Sequence, residues 1–213
     1  MEIVRIHAPY LYAVKYDGDS LNIYRRTLSK LTDDRYLTEF FNRFGSRISD
    51  YIVQKFKIDR SETEEYAAEV NDQMIDISEE LTNICCGIDS GIINDFSNYF
   101  DPHSKFDIRE LPDGGGRSYK YATGYLPVKC KGTSATPLVR IYAVELSLRC
   151  YIIVYGGIKL ALDTNDAPDL DKDGNSSTLE RELKSRLLTV CGFLAQNEII
   201  SPDGLTEYVE EQQ

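Results

Sequence analysis

Two apolar runs, Leu138–Leu148 and Cys150–Tyr155, are separated by only a residue or two at Leu148-Arg149. A parallel return needs a crossover of about a dozen residues or more, so these runs close on each other as an antiparallel hairpin. Any fold of this chain must be built around that hairpin. Residues 3–6 and 10–16 have the same β-branched and aromatic character, and Ser118–Leu126 alternates tyrosines at 119, 121 and 125. Five strands follow, at 3–6, 10–16, 118–126, 138–148 and 150–160.

Between the second and third of these the period changes. Asp17-Gly18-Asp19-Ser20 supplies a turn and a helix N-cap. After it Leu21, Tyr24, Leu28 and Leu31 recur at the spacing of one helix face. A second helix runs from Asp33 or Asp34 to Phe44 on a stripe of Tyr36, Leu37, Phe40, Phe41 and Phe44, with Gly45 as its stop. Ser61-Glu62-Thr63-Glu64 reads as a capping box. The helix it opens extends to Cys86, with Met74, Ile77, Leu81, Ile84 and Cys85 on one side and Gly87 at its end. A shorter helix is expected over 90–100, a long amphipathic one from Thr178 to Asn197, and a last one from Asp203 to Val209.

The expected fold class is therefore α+β, an antiparallel sheet packed against several helices. At 213 residues the chain suits one domain, 1–213, with a helix-rich part at about 20–100 and a strand-rich part at about 117–197. The break at 101–117, rich in Pro, Gly and Asp, divides them.

Several function classes fall away on composition. A formal charge of −11 repels phosphate backbones at long range, so the global field does not favour nucleic acid. The five cysteines are odd in number and form no C-x-x-C, which argues against a disulfide framework and a zinc knuckle. Cys85-Cys86 reads as a reduced, packed pair. His7 and His103 have no ligand at helical spacing, which argues against zinc hydrolase chemistry. Gly114-Gly115-Gly116 leads into a strand through Arg117-Ser118-Tyr119, so it reads as a turn and not a phosphate cradle. Met1-Glu2-Ile3-Val4-Arg5 lacks the pattern of a secretory signal, and no run of 18 apolar residues occurs. A cytoplasmic protein without a membrane partner is expected.

Two constellations carry chemistry. Asp169-Leu170-Asp171-Lys172-Asp173-Gly174, with Glu180 after five more residues, satisfies the calcium-loop pattern D-x-[DN]-x-[DN]-G-x₅-E. Alternate carboxylates aim at one ion, glycine allows the sharp turn, and a glutamate in the first helical turn closes the site. The same residues also suit an acidic loop capping a helix N-terminus. One Ca2+ held by Asp169, Asp171, Asp173 and Glu180 is thus one reading, belonging to a non-enzymatic interaction protein.

The second constellation is the hairpin itself. Arg140 lies on its first strand, Gly156-Gly157-Ile158-Lys159 ends its second, and a helix follows. This segment resembles the C-terminal hairpin and helix of HigB-like (phage-derived Gp49-like) toxins of the RelE superfamily. The resemblance implies a RelE-like core with a helical insertion and a toxin–antitoxin-related protein. It also implies ribosome-dependent mRNA cleavage or an inactive relative, with a small antitoxin, the ribosome and mRNA as partners. The chemistry implied is attack of a ribose 2′-hydroxyl on its own phosphate. Arg140 and Lys159 would be the cations, and Tyr142, on the same strand face as Arg140, the proton donor.

Overall fold

A computed structural model describes residues 1–102, 125–130, 132, 134, 136–160 and 179–212. The hairpin lies inside one six-stranded sheet. Its strands are β1 (Glu2–His7), β2 (Leu11–Lys15), β3 (Phe100–Pro102), β4 (Leu126–Cys130), β5 (Val139–Ser147) and β6 (Cys150–Ile158), in the order β1-β2-β6-β5-β4-β3. Every neighbouring pair is antiparallel except β2 and β6, which run parallel from Leu11 opposite Tyr151 to Ala13 opposite Ile153. The α+β class holds, and the sheet is mixed where the sequence suggested an antiparallel one. That parallel pair joins segments about 140 residues apart, and no local periodicity reports it.

The helices are α1 (Ile23–Leu31), α2 (Asp34–Phe44), α3 (Asp50–Phe56), α4 (Thr63–Asp89), α5 (Leu179–Gln196) and α6 (Pro202–Glu211), with a short 3-10 turn at Gly45–Arg47. They cover both faces of the sheet. Thr27 of α1 lies against Gly156, and α4 packs on β5. On the opposite face Arg186 of α5 lies over the Tyr155 ring, and Thr206 of α6 meets the Tyr12 hydroxyl at 3.1 Å. Central strand β6 is sandwiched, so all nine of its residues are buried. That is why its apolar run is continuous instead of alternating.

Local signals differ from the structure in several places. Asn22, not Ser20, caps α1, its side chain accepting from the Arg25 amide, and Leu21 is left exposed. Gly45 does close α2, but in right-handed geometry that leads on into the 3-10 turn. The Ser61–Glu64 capping box does not form. Ser61 turns back to Asp59, and the Asp59 amide donates to Glu62 at 2.8 Å. Asp59 lies two residues from Ser61, so this tight turn outcompetes the box.

Gly87 does not stop α4, which continues to Asp89. Its missing side chain leaves room for Ile93, which a Cβ there would meet at 2.6 Å. Gly91, with φ +75, provides the left-handed exit instead. The helix expected over 90–100 is absent. The chain there turns through Phe96 and enters β3, because Phe96, Phe100 and Tyr151 form an aromatic cluster in which Phe100 stacks on Tyr151 at 4.6 Å. Of the strand expected at 118–126, residues 118–124 lie outside the described residues, and β4 begins at Leu126.

Candidate functional site: a polar row across the sheet

Strand pairing aligns four residues in one row, with Asp101 opposite Lys129, Lys129 opposite Tyr142 and Tyr142 opposite Tyr155. Directly opposed residues share a face, so all four point to the side that α5 covers. Arg140, two residues before Tyr142, shares that face and lies opposite Gly157. Lys159 comes two residues after Gly157, its amide donating to the Leu138 carbonyl at 2.6 Å. Arg186 completes the group, its guanidinium carbon 5.1 Å from the Tyr155 ring centre and 4.6 Å from that of Tyr16. A chain of net charge −11 thus collects four cations, Lys129, Arg140, Lys159 and Arg186, on one sheet face.

A β-bulge gives the row its shape. The register of β5 on β6 shifts between Tyr142 and Ala143, leaving Val154 unpaired. The Val154 carbonyl is satisfied from outside the ladder by the Tyr16 hydroxyl at 2.9 Å. The shift aims Tyr155 at Tyr142, ring centres 6.3 Å apart, and under Arg186.

The three residues singled out by sequence therefore share one end and one face of the hairpin, but not as exposed reactants. Arg140 Nη1 donates to the carbonyls of Pro137 and Val139, both at 3.0 Å. Burial holds its pKa below the ordinary arginine value, opposed by the nearby Tyr142, Cys130 and Asp101. Tyr142 is 2% exposed. Asp101, Lys129, Tyr142, Tyr155, Lys159 and Arg186 all have interaction partners. Gly156 has a packing role, since a Cβ there would lie 2.5 Å from Thr27 Cγ2.

Of the calcium-loop residues, Asp169, Asp171 and Asp173 lie outside the described residues, and Glu180 is in the first turn of α5. Among the described residues no group of three or more His, Cys, Asp or Glu side chains gathers to hold a metal ion. The packed-thiol reading fits Cys85, whose pKa burial pushes up to about 12, but not Cys86, which the next step of the helix turns to the exposed side. Burial does the same to Cys150 and Cys191, and takes Cys130 to about 11, which disfavours the reactive thiolate at neutral pH. No helix among the described residues is long and apolar enough to cross a membrane.

One group of titratable side chains escaped the sequence reading. His7, Tyr10 and Asp89 meet where β1 ends, the following turn begins and α4 terminates, with His7 Nε2 3.0 Å from Asp89 Oδ2. His7 and Asp89 are 82 positions apart, and no spacing rule links a strand end to a distant helix end. Comparison of the chain with protein-family models, with curated proteins and with solved structures gave no significant match.

Proposed function

We propose that the chain is a toxin–antitoxin-related protein of HigB-like type that acts on RNA at the ribosome and is restrained by a small antitoxin. The observation that supports this is the collection of Lys129, Arg140, Lys159 and Arg186 on one sheet face of a strongly acidic chain. Cations so gathered suit a phosphate backbone that the molecule as a whole repels. The order β5, β6, α5 agrees with the hairpin-and-helix resemblance.

A second reading, the non-enzymatic relative, draws on the same residues. Arg140 is tied to two backbone carbonyls and Tyr142 is buried, so neither is arranged to meet a substrate. Tightly induced expression in a bacterial host, with mapping of mRNA ends, separates the two. The RNA reading expects growth arrest accompanied by new mRNA ends. Unaffected growth and intact mRNA at full soluble yield would end that reading and leave the interaction protein.

A further inference from the structure

The end of the hairpin away from Arg140 carries a second polar group. Asp89 accepts hydrogen bonds from His7 and from the Tyr10 hydroxyl, and these hold its carboxyl below the usual carboxylate range, His7 first. An ionised carboxylate can only accept. Facing an ionised carboxylate, Nε2 carries a proton, so in the neutral form of the ring the lone pair is on Nδ1. Nδ1 makes no hydrogen bond among the described residues, and the His7 side chain is 30% exposed. The Tyr10 ring lies 6.2 Å away at 17° to the imidazole.

Among the described residues, exposed side chains flank this pair. Arg149, exposed in the β5–β6 turn, acts electrostatically on both Tyr10 and Asp95. The segment after α4 is drawn to that turn by the Phe96 amide, 3.0 Å from the Leu148 carbonyl. Ile92 and Leu148 stand out from it, 83% and 53% exposed.

We propose that His7, oriented by Asp89, is a general base for the ribose 2′-hydroxyl of single-stranded RNA, with Tyr10 as a stacking surface and Arg149 as the phosphate-facing cation. This rests on the RNA-directed reading above and moves its chemistry to the other end of the sheet. Arg140 lies opposite Gly157, whereas Tyr10 bonds to Tyr151, six residues earlier on β6. At about 3.3 Å per residue the two ends are roughly 20 Å apart, so they cannot serve one scissile phosphate.

In the step, Nδ1 takes the 2′-hydroxyl proton and the 2′-oxygen attacks the adjacent phosphorus. The bond from phosphorus to the 5′-oxygen breaks, and that oxygen takes a proton from water. The imidazolium returns its proton to the hydroxide so formed. The products are a 2′,3′-cyclic phosphate and a 5′-hydroxyl, with no change in oxidation state. A flanking base has the Tyr10 ring to stack on.

The test uses the purified full chain with ribosomes programmed by a short mRNA, and the same mRNA alone. The wild type is compared with His7→Gln and with Arg140→Ala/Lys159→Ala. Glutamine keeps a donor for Asp89 but has no basic nitrogen, so folding is preserved while the base is lost. The expected result is cleavage to cyclic-phosphate ends, about 100-fold or more slower in kcat for His7→Gln at saturating mRNA, with the double variant impaired in KM and giving the same cyclic-phosphate ends. Cleavage kept in His7→Gln and lost in the double variant would overturn the dyad while leaving the RNA reading intact. RNA bound but uncut by the wild type would also overturn the dyad. Neither binding nor cleavage would end both. For Asp89 as a positioning residue, Asp89→Ala should move the imidazole nitrogen resonances from a single Nε2–H tautomer towards a mixture. Unchanged resonances would refute that role.

Discussion

At the scale of single residues, the sheet is held close to its helices by two side chains of unusual economy, one of them absent. Gly156 is glycine because α1 crosses β6 there. A Cβ would lie 2.5 Å from Thr27 Cγ2, 2.7 Å from its Oγ1 and 3.0 Å from its Cβ. Overpacking of this kind costs about 1–3 kcal/mol, so Gly156→Ala should lower the urea-unfolding free energy by about that amount. In a Thr27→Ala background the two nearest atoms are gone, and the same substitution should cost measurably less. Equal costs in the two backgrounds would show that the strain lies elsewhere. The second side chain is Gln73 of α4, 4% exposed. Its Oε1 accepts from the amides of Leu138 and Val139 at 2.7 and 3.2 Å. Its Nε2 donates to Glu69, Ser134 and the Thr136 carbonyl. One amide thus satisfies the backbone where β5 begins. Gln73→Leu would leave two buried N–H groups unpaired, at about 1–3 kcal/mol each. A loss of about 2–5 kcal/mol is expected, together with faster hydrogen exchange at Leu138 and Val139. A loss under about 1 kcal/mol would mean that water replaces the amide.

At the scale of elements, what the sequence made legible is what depends on near neighbours. The Leu148-Arg149 turn fixed the pairing of β5 with β6, because two residues leave no other return. The Phe-rich stripe of α2 emerged as read, and the helix starts at Asp34, one of the two starts the sequence offered, with Asp33 as its cap. Where a distant contact decides the outcome, the reading failed. Gly87 looked like a stop, yet its space is taken by Ile93, and Gly91 ends the helix. Residues 90–100 had helical spacing, but burial of Phe96 and Phe100 against Tyr151 outweighed it. Helix α3, short and between turns, has too few residues for its period to declare itself. The candidate site divides in the same way. Arg140, Tyr142 and Lys159 could be singled out together because they lie on one hairpin, whereas Lys129 and Arg186 come from elements whose register no sequence rule supplies. The His7–Asp89 pair was invisible for the same reason.

At the scale of the whole molecule, the charge is not spread evenly. Helix α4 holds eight acidic residues and no basic one, −8 out of a total of −11. Its apolar side is buried at Tyr66, Val70, Met74, Ile77, Leu81 and Cys85, so packing on the sheet and on α2 holds it helical despite this charge. The exposed side pays in repulsion. Asp72 and Asp76 are four residues apart and Asp76 and Glu79 three, all three exposed, and each like-charge pair of this spacing costs about 0.2–0.5 kcal/mol. Asp76 is the common member. Replacing it by lysine turns two repulsions into attractions, so Asp76→Lys should stabilise the protein by about 1 kcal/mol, or roughly 2–4 °C in Tm for a chain of this size. The pairs lie within the Debye length of about 10 Å at 0.1 M salt, which screens them only in part. The wild type should therefore gain stability as salt rises from about 0.02 to 0.5 M, and Asp76→Lys should gain less. Thermal unfolding of both proteins across that range is the check. Parallel salt curves for the two would show that the repulsion resides outside α4, and an unchanged Tm in low salt would show that the helix tolerates its charge without cost.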